Sequence, residues 1–474
     1  MTRTKRFLQI LLFGCAGVSI ALITVFSREK YLPFLLILGI LTILTVMIFI
    51  RPAWLMLSIA LLAPSASMIR QFESINISGT TISLSGLAWA FMAAACVWFL
   101  VTHSSQVRIP KIIIPLLAFA GWTLLRWFAS AMPLTGLKDI LFFGLPPLFG
   151  IFTLWVVTSG RGDPMRAMEN LFLFSVFIPI CLYLLCIPMG WISITKVGPV
   201  GIIESRSIAL YLLIVLSLAL ARWSYGSNIQ ERRTGVFFGL LALAIILFTL
   251  SRMAGVTAIL LVSIAILKPS RFREWLIGGF AAGLAAAIII LVIPILRERF
   301  FFNPSSSDIW SVILSLRTAG RNMFWPLTYH HAMANPLIGW GPGTSRILVA
   351  QSFRGVDIAE YHPHNEYLQV FHDTGAIGLI LLLLAYLPLL VHFWKHWKAS
   401  RIAKNPILEG CNMTAFLSIL AILTTSITAN TLHYAFVTVP AFILVAFAYI
   451  QNQRSLKPMR EYPDPITVDD SPPG

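Results

Sequence analysis

Residues 374–394 read TGAIGLILLLLAYLPLLVHFW, a run that contains no aspartate, glutamate, lysine or arginine. A helix of about 20 apolar residues crosses the hydrocarbon core of a bilayer. The rest of the chain agrees with this segment, because 58% of the 474 residues are hydrophobic and only 11% are charged. A soluble domain has a much larger charged share, and a membrane barrel shows short alternating strands. The sequence therefore predicts an all-α, polytopic integral membrane protein.

The same apolar pattern recurs along the chain. The predicted spans are 7–26, 31–50, 53–69, 82–102, 112–129, 136–158, 168–187, 205–222, 234–250, 253–267, 275–296, 374–394, 414–430 and 434–451. The third and tenth spans are short or bounded by proline, so we expect about 12–14 transmembrane helices.

The basic residues indicate how these spans are oriented. The net charge of +16 is spread over the connections between spans and does not form one dense run, so it indicates topology and not nucleic-acid binding. With the N-terminus in the cytoplasm, about 21 lysines and arginines face inward and about 14 face outward. The positive-inside rule therefore favours an orientation with the N-terminus in the cytoplasm.

One connection differs from the others. Residues 297–373 are much less apolar and are rich in Gly, Pro, His and Asn, and the orientation above makes them a large periplasmic loop. Long structureless loops are uncommon in folded proteins, so we expect this loop to be folded and functional. The chain then divides into an N-terminal transmembrane bundle (1–204), a core that includes the loop (205–451) and a disordered cytoplasmic tail (452–474).

Arginines on the predicted outer side need an explanation other than topology. Arg206 opens the eighth span, and Arg252 lies in the turn before the tenth span. Arg317 and Arg321 are four residues apart in the loop, so on a helix they share a face. Guanidinium groups bind phosphate oxygens in bidentate fashion, which suits an anion site. The alternatives are snorkelling to lipid headgroups for the first two and a solvated helix face for the pair.

The segment GWGPG, residues 339–343, superficially resembles a phosphate-binding loop. It lacks the Lys-Ser/Thr of a P-loop, follows no strand and faces a compartment without ATP. We therefore predict a tight turn that returns the backbone into the protein.

Histidines crowd the end of the loop. His362, His364, Glu366 and His372 lie just ahead of the twelfth span. A histidine here can act as a base near neutral pH. The same four side chains are also competent metal ligands, but their spacing matches no helical zinc motif. A base is therefore favoured over a metal site.

These motifs together resemble a known family. HNEYLQVFHDTGAIGL (364–379) resembles the His-Asn, nine residues, Gly-x-x-Gly-Leu signature of the O-antigen ligase and polymerase superfamily of bacterial membrane glycosyltransferases. TLSRMAG (249–255) resembles its Ser-Arg turn, and GRNMFWPLTYHHAMANPLIGWGPG (320–343) its Gly-Arg…Pro-Leu-x-Gly-x-Gly segment, in the expected order. The resemblance covers roughly residues 200–395.

The resemblance implies a GT-C-like fold and catalysis without metal, nucleotide or other cofactor. It implies that His364 is catalytic and that Arg252 and Arg321 bind a diphosphate, with Arg206 as a further match. Arg317 joins this anion site through its pairing with Arg321.

The function implied is transfer or polymerisation of glycan from an undecaprenyl-diphosphate-linked donor onto an acceptor hydroxyl, with inversion, at the periplasmic face. Asn365 and Glu366 are expected to support the imidazole or the acceptor, and Gly375 belongs to the signature. The motifs leave open whether the acceptor is lipid A core, a growing glycan or a protein. A transporter or flippase for a lipid-linked or anionic substrate is the alternative from another class, and a non-catalytic assembly partner is a third.

Overall fold

The computed structural model describes residues 74–77, 80–107, 109–159, 165–195, 198–201, 204–268, 272–301, 321–352 and 362–456. The first three predicted spans, residue Arg317 and most of the predicted tail lie outside these ranges, so the expectations for them remain predictions.

Helices make up most of the described chain. Numbered in chain order they are α1 Leu84–Thr102, α2 Ile114–Trp127, α3 Pro133–Thr158, α4 Met165–Phe174, α5 Phe177–Cys186, α6 Ser205–Tyr225, α7 Ile229–Phe248, α8 Arg252–Leu267, α9 Phe272–Val292, α10 Pro294–Phe300, α11 Arg321–Ala332, α12 Thr344–Ser352, α13 Glu366–Ile402, α14 Pro406–Thr425 and α15 Ala435–Leu456. Two short antiparallel hairpins accompany them, β1 Ser74–Ile77 with β2 Thr80–Ser83 and β3 Ile192–Thr195 with β4 Gly198–Gly201.

The helices confirm a polytopic, all-α membrane protein. Among the described residues, six helical stretches are long and apolar enough to cross a membrane: α3, α4 with α5, α6, α13, α14 and α15. Helix α8 is apolar but shorter. Every predicted span from residue 82 onward coincides with a described helix or helix pair.

The core forms where α6 and α15 pass through the middle of the bundle. Helix α6 packs on α7 and α14, while α15 packs on α3 and α14. Without a hydrophobic driving force between helices in lipid, close packing depends on small residues at the crossings. Gly235 of α7 illustrates this, because a Cβ there would lie 2.4 Å from the backbone nitrogen of Trp223 in α6.

Helix α13 begins eight residues earlier than the span predicted at 374–394. Its first two turns carry Glu366, His372 and Asp373, whose polarity hides them from a hydropathy pattern. All three side chains are buried against protein, so these turns need not contact lipid.

Two opposite ends of the bundle can be distinguished by their contacts. At one, the loop-bearing end, the start of α13 meets the end of α14 through a hydrogen bond from the Glu366 backbone nitrogen to the Ser426 carbonyl (2.9 Å). The hairpin β3–β4 packs on the turn between α7 and α8, where a Cβ at Gly198 would lie 2.6 Å from the Thr249 carbonyl oxygen.

The other end, the basic end, gathers cations. Arg401 donates to the carbonyl of Lys268 (2.6 Å). The Lys268 ammonium lies 4.6 Å from the ring centre of Tyr225, and Arg232 donates to the Gly226 carbonyl (3.0 Å).

Candidate functional site

His364 lies at the loop-bearing end, held by the residues on either side of it. Trp325 of α11 donates its indole N–H to the Pro363 carbonyl (2.9 Å). Asn365 is the N-cap of α13, and its side-chain oxygen accepts from the Leu368 backbone nitrogen (3.0 Å). His364 itself has a φ of 53°, in the left-handed region. Such a backbone costs a non-glycine residue on the order of 1 kcal/mol, so these flanking contacts determine its position.

Two guanidinium groups lie close enough to His364 for their charges to act on it. Arg321 opens α11 and donates Nη2–H to the Thr428 carbonyl (2.7 Å). Arg206 lies exposed in the first turn of α6, which begins beside the hairpin because Ser205 donates its hydroxyl to the Pro199 carbonyl (2.9 Å). Burial and then the charges of Arg321 and Arg206 lower the pKa of His364 from 6.5 to about 4. The structure therefore brings these three residues together.

The electrostatics of this group favour an anion. Burial and the neighbouring charge of Arg206 lower the pKa of Arg321. The charge of Arg206 thus disfavours the charged form of Arg321, and both guanidinium groups oppose protonation of His364. A bound anion would relieve all three effects, and the neutral imidazole is in the protonation state of a general base.

Arg252 occupies a neighbouring place at the same end. It opens α8 directly after the turn on which the hairpin packs, and its guanidinium lies 5.7 Å from the ring centre of Phe300 in α10. This contact joins the start of α8 to α10. The expectation that Arg252 also binds the diphosphate stays a prediction.

Glu366 forms part of a buried chain of charges below His364. Its Oε1 accepts from the Leu432 backbone nitrogen (3.1 Å) and lies 2.9 Å from Nδ1 of His433. Nε2 of His433 lies 3.1 Å from Oδ1 of Asp139, which also forms an ion pair with Arg346. The described contacts of Glu366 therefore run to His433 and not to the imidazole of His364.

His433 is the centre of this chain. Burial alone would lower its pKa, but the charges and hydrogen bonds of Glu366 and Asp139 outweigh it and raise the pKa to about 9. The side chain is therefore an imidazolium at neutral pH, held between two carboxylates.

Sequence reasoning missed three members of this chain. Asp139 could have been found from the sequence, because an acidic residue inside the apolar segment 136–158 indicates a functional or structural site. His433 and Arg346 belong to no motif, and only the fold brings them to Asp139.

A second polar group fixes the GWGPG turn. The Asp373 carboxylate accepts from the backbone nitrogens of Gly343 (3.1 Å) and Ser345 (2.9 Å). The imidazole of His372 bridges two groups. Its Nδ1 lies 2.8 Å from Oδ1 of Asp373, and its Nε2 lies 2.9 Å from Nδ1 of His331. The GWGPG segment is thus a tight turn against α13, as predicted.

Gly375 allows this close approach. Its φ is 71°, and a Cβ there would lie 2.2 Å from the carbonyl oxygen of Leu337. The role of this signature glycine in the structure is therefore to let α13 kink against the loop.

The four side chains considered as metal ligands have separate partners. Nδ1 of His362 lies 3.4 Å from Oε1 of Gln369, while Glu366 and His372 belong to the two networks above. Within the described ranges, no three His, Cys, Asp or Glu side chains are arranged to hold a metal ion.

Comparison with protein families agrees with the motifs. Residues 237–383 match the family model described as O-antigen ligase. The matched stretch runs from α7 into α13 and includes Arg252, Arg321 and His364, while Arg206 precedes it. A search among curated proteins gave no match.

Proposed function

We propose that this protein, which matches the O-antigen ligase family model over residues 237–383, transfers or polymerises glycan from an undecaprenyl-diphosphate-linked donor onto an acceptor hydroxyl. The family supports glycan transfer of the ligase or polymerase type. The observation that carries the finer proposal is the neutral His364 beside the guanidinium groups of Arg321 and Arg206. This arrangement combines a general base with an anion site, the two groups that such a reaction needs.

The distribution of charge supports a periplasmic site. The contacts of Arg232, Lys268 and Arg401 lie at the basic end, opposite His364. Because basic residues are retained on the cytoplasmic side, we propose that the loop-bearing end faces the periplasm of the bacterial inner membrane.

The donor fits the anion site by charge. A diphosphate carries about two negative charges next to an apolar chain, where water screens them weakly. Arg321 and Arg206, with Arg252 nearby, stabilise that charge in the bound donor and in the departing undecaprenyl diphosphate. The proposed reaction places this task on guanidinium groups, without metal or nucleotide.

In the proposed step, His364 takes the proton of the acceptor hydroxyl as its oxygen attacks the anomeric carbon. The bond from that carbon to the diphosphate breaks, and undecaprenyl diphosphate leaves with the electron pair. A single displacement inverts the anomeric configuration. The donor's negative charge offsets Arg321 and Arg206, so it raises the basicity of His364 when the site is loaded.

The test is a strain that carries His364→Ala in place of the wild-type protein. We expect it to lose surface polysaccharide and accumulate lipid-linked glycan, while the protein reaches the membrane in normal amounts. His330→Ala is the matched control, because His330 is an exposed histidine of the same loop and should leave the polysaccharide normal. Normal polysaccharide in the His364→Ala strain would contradict the proposal.

The same strain separates ligase from polymerase. Loss of all glycan on lipid A core with long lipid-linked chains indicates a ligase, whereas accumulation of single repeat units indicates a polymerase.

A further inference from the structure

We infer that His433 is a positioning residue for the reaction, because it anchors the segment 426–433 that sets the distance between His364 and Arg321. This inference rests on the proposed function and assigns a role to residues that do not touch the substrate.

The segment 426–433 contacts both halves of the site. On the side of the base, the carbonyl of Ser426 accepts from the Glu366 backbone nitrogen (2.9 Å), two residues after His364. On the side of the anion site, the carbonyl of Thr428 accepts from Arg321 (2.7 Å). One short segment thus bridges the helix that follows the base and the arginine that faces it.

His433 fixes the far end of this segment. Its Nδ1 lies 2.9 Å from Oε1 of Glu366, and its Nε2 lies 3.1 Å from Oδ1 of Asp139 in α3. The adjacent backbone nitrogen of Leu432 donates to the same Glu366 oxygen (3.1 Å). The segment is therefore pinned to α13 at both of its ends and to α3 at one.

The chain of charges is balanced and buried. Glu366 and Asp139 are the anions, and His433 and Arg346 are the cations, all with side chains at most one-tenth exposed. A buried charge that loses its partner is strongly destabilised, so the geometry depends on His433 carrying its proton. Removal of that proton leaves two carboxylates with one cation.

The titration of His433 gives this role a signature. The groups around it are Glu366 from α13, Asp139 from α3 and His362 from the segment before α13, with Arg346 of α12 and Lys138 acting through Asp139. The raised pKa of about 9 predicts that turnover declines as the pH rises through about 9. Glu366→Gln removes the largest cause of that rise, so the decline moves to lower pH.

The experiment measures kcat against pH for the full chain in lipid nanodiscs. The reaction is transfer of glycan from the lipid-linked donor to lipid A core or to a second lipid-linked glycan, both extracted from the producing strain, and it is followed by the undecaprenyl diphosphate released. Binding of undecaprenyl diphosphate is measured alongside. We expect the alkaline decline of the wild type at about pH 9, displaced by about one pH unit or more toward neutrality in Glu366→Gln. His433→Gln should lower kcat by about 10²-fold, as an ångström-scale misplacement does, and should bind undecaprenyl diphosphate nearly as well as the wild type.

Controls separate the outcomes. His330→Gln should keep the wild-type pH profile. If His433→Gln does not fold, Glu366→Gln takes its place as the test variant, because glutamine keeps the shape of the glutamate side chain. An alkaline decline that stays at the same pH in Glu366→Gln, or full kcat in His433→Gln, would overturn the positioning role while the proposed function stands. A wild-type protein that releases no undecaprenyl diphosphate would overturn both.

Discussion

Replacement of Arg321 by glutamine should raise the pKa of His364. In the free protein this pKa is about 4 in place of 6.5, a difference that corresponds to about 3 kcal/mol against the imidazolium. Burial is the largest cause, followed by Arg321 and then Arg206. Because burial remains in Arg321→Gln, loss of one charge recovers only part of the difference, and we expect the pKa of His364 to rise while staying below 6.5.

The acid side of the kcat/KM profile reports this pKa, because only neutral His364 accepts the hydroxyl proton. For the wild type we expect half-maximal kcat/KM near pH 4, the pKa of His364, and maximal kcat/KM from about two pH units above that midpoint. The Arg321→Gln profile should be displaced to higher pH although its maximum is lower, since donor binding is also weakened. Arg321→Lys keeps a positive charge and is the matched control, with a profile close to that of the wild type.

The result that would refute this reasoning is an unchanged or lower acid midpoint in Arg321→Gln. It would mean that Arg321 does not act on the titrating group, or that the titrating group is not His364.

Three further predictions follow from the same geometry. The acid midpoint of kcat should lie at higher pH than that of kcat/KM, because bound diphosphate raises the pKa of His364; equal midpoints would argue against a diphosphate at the site. Gly375→Ala should lower the free energy of unfolding by at least about 1–3 kcal/mol, since φ is 71° and the new Cβ meets the Leu337 carbonyl. Gly121→Ala is the control, because open space surrounds Gly121 and its melting temperature should match that of the wild type. Equal melting temperatures for the two variants would contradict this prediction. Because the folded pKa of His433 is raised to about 9, its contribution to stability is complete below pH 6.5 and is lost as the pH rises through about 9, so a flat stability profile across that range would contradict its paired state.

The spans could be predicted from sequence because lipid imposes one simple rule, an apolar run of sufficient length. The rule misses polar turns that extend a membrane helix into a region where it is surrounded by protein and not by lipid. Helix α13 begins at Glu366 and not near residue 374, since its polar first turns are buried by α11, the GWGPG turn and the segment 426–433.

The site was predictable to the extent that it lies in contiguous motifs. His364 and Arg321 belong to such motifs, and the resemblance that these motifs carry predicts that both residues lie at one site. The contacts of Glu366 were not predictable, because its partner His433 lies 67 positions away and the relevant carboxylate of Asp139 belongs to another helix. Pairing between distant residues is a property of helix packing, which a single sequence does not display.

The most direct test of the account is a paired measurement on His364→Gln and the wild type in nanodiscs, with undecaprenyl diphosphate binding and glycan transfer determined on the same preparation. The account predicts that the variant binds undecaprenyl diphosphate about as well as the wild type, because Arg321 and Arg206 remain, and that its transfer rate falls by about 10²- to 10⁴-fold. Transfer at the wild-type rate by His364→Gln would contradict it.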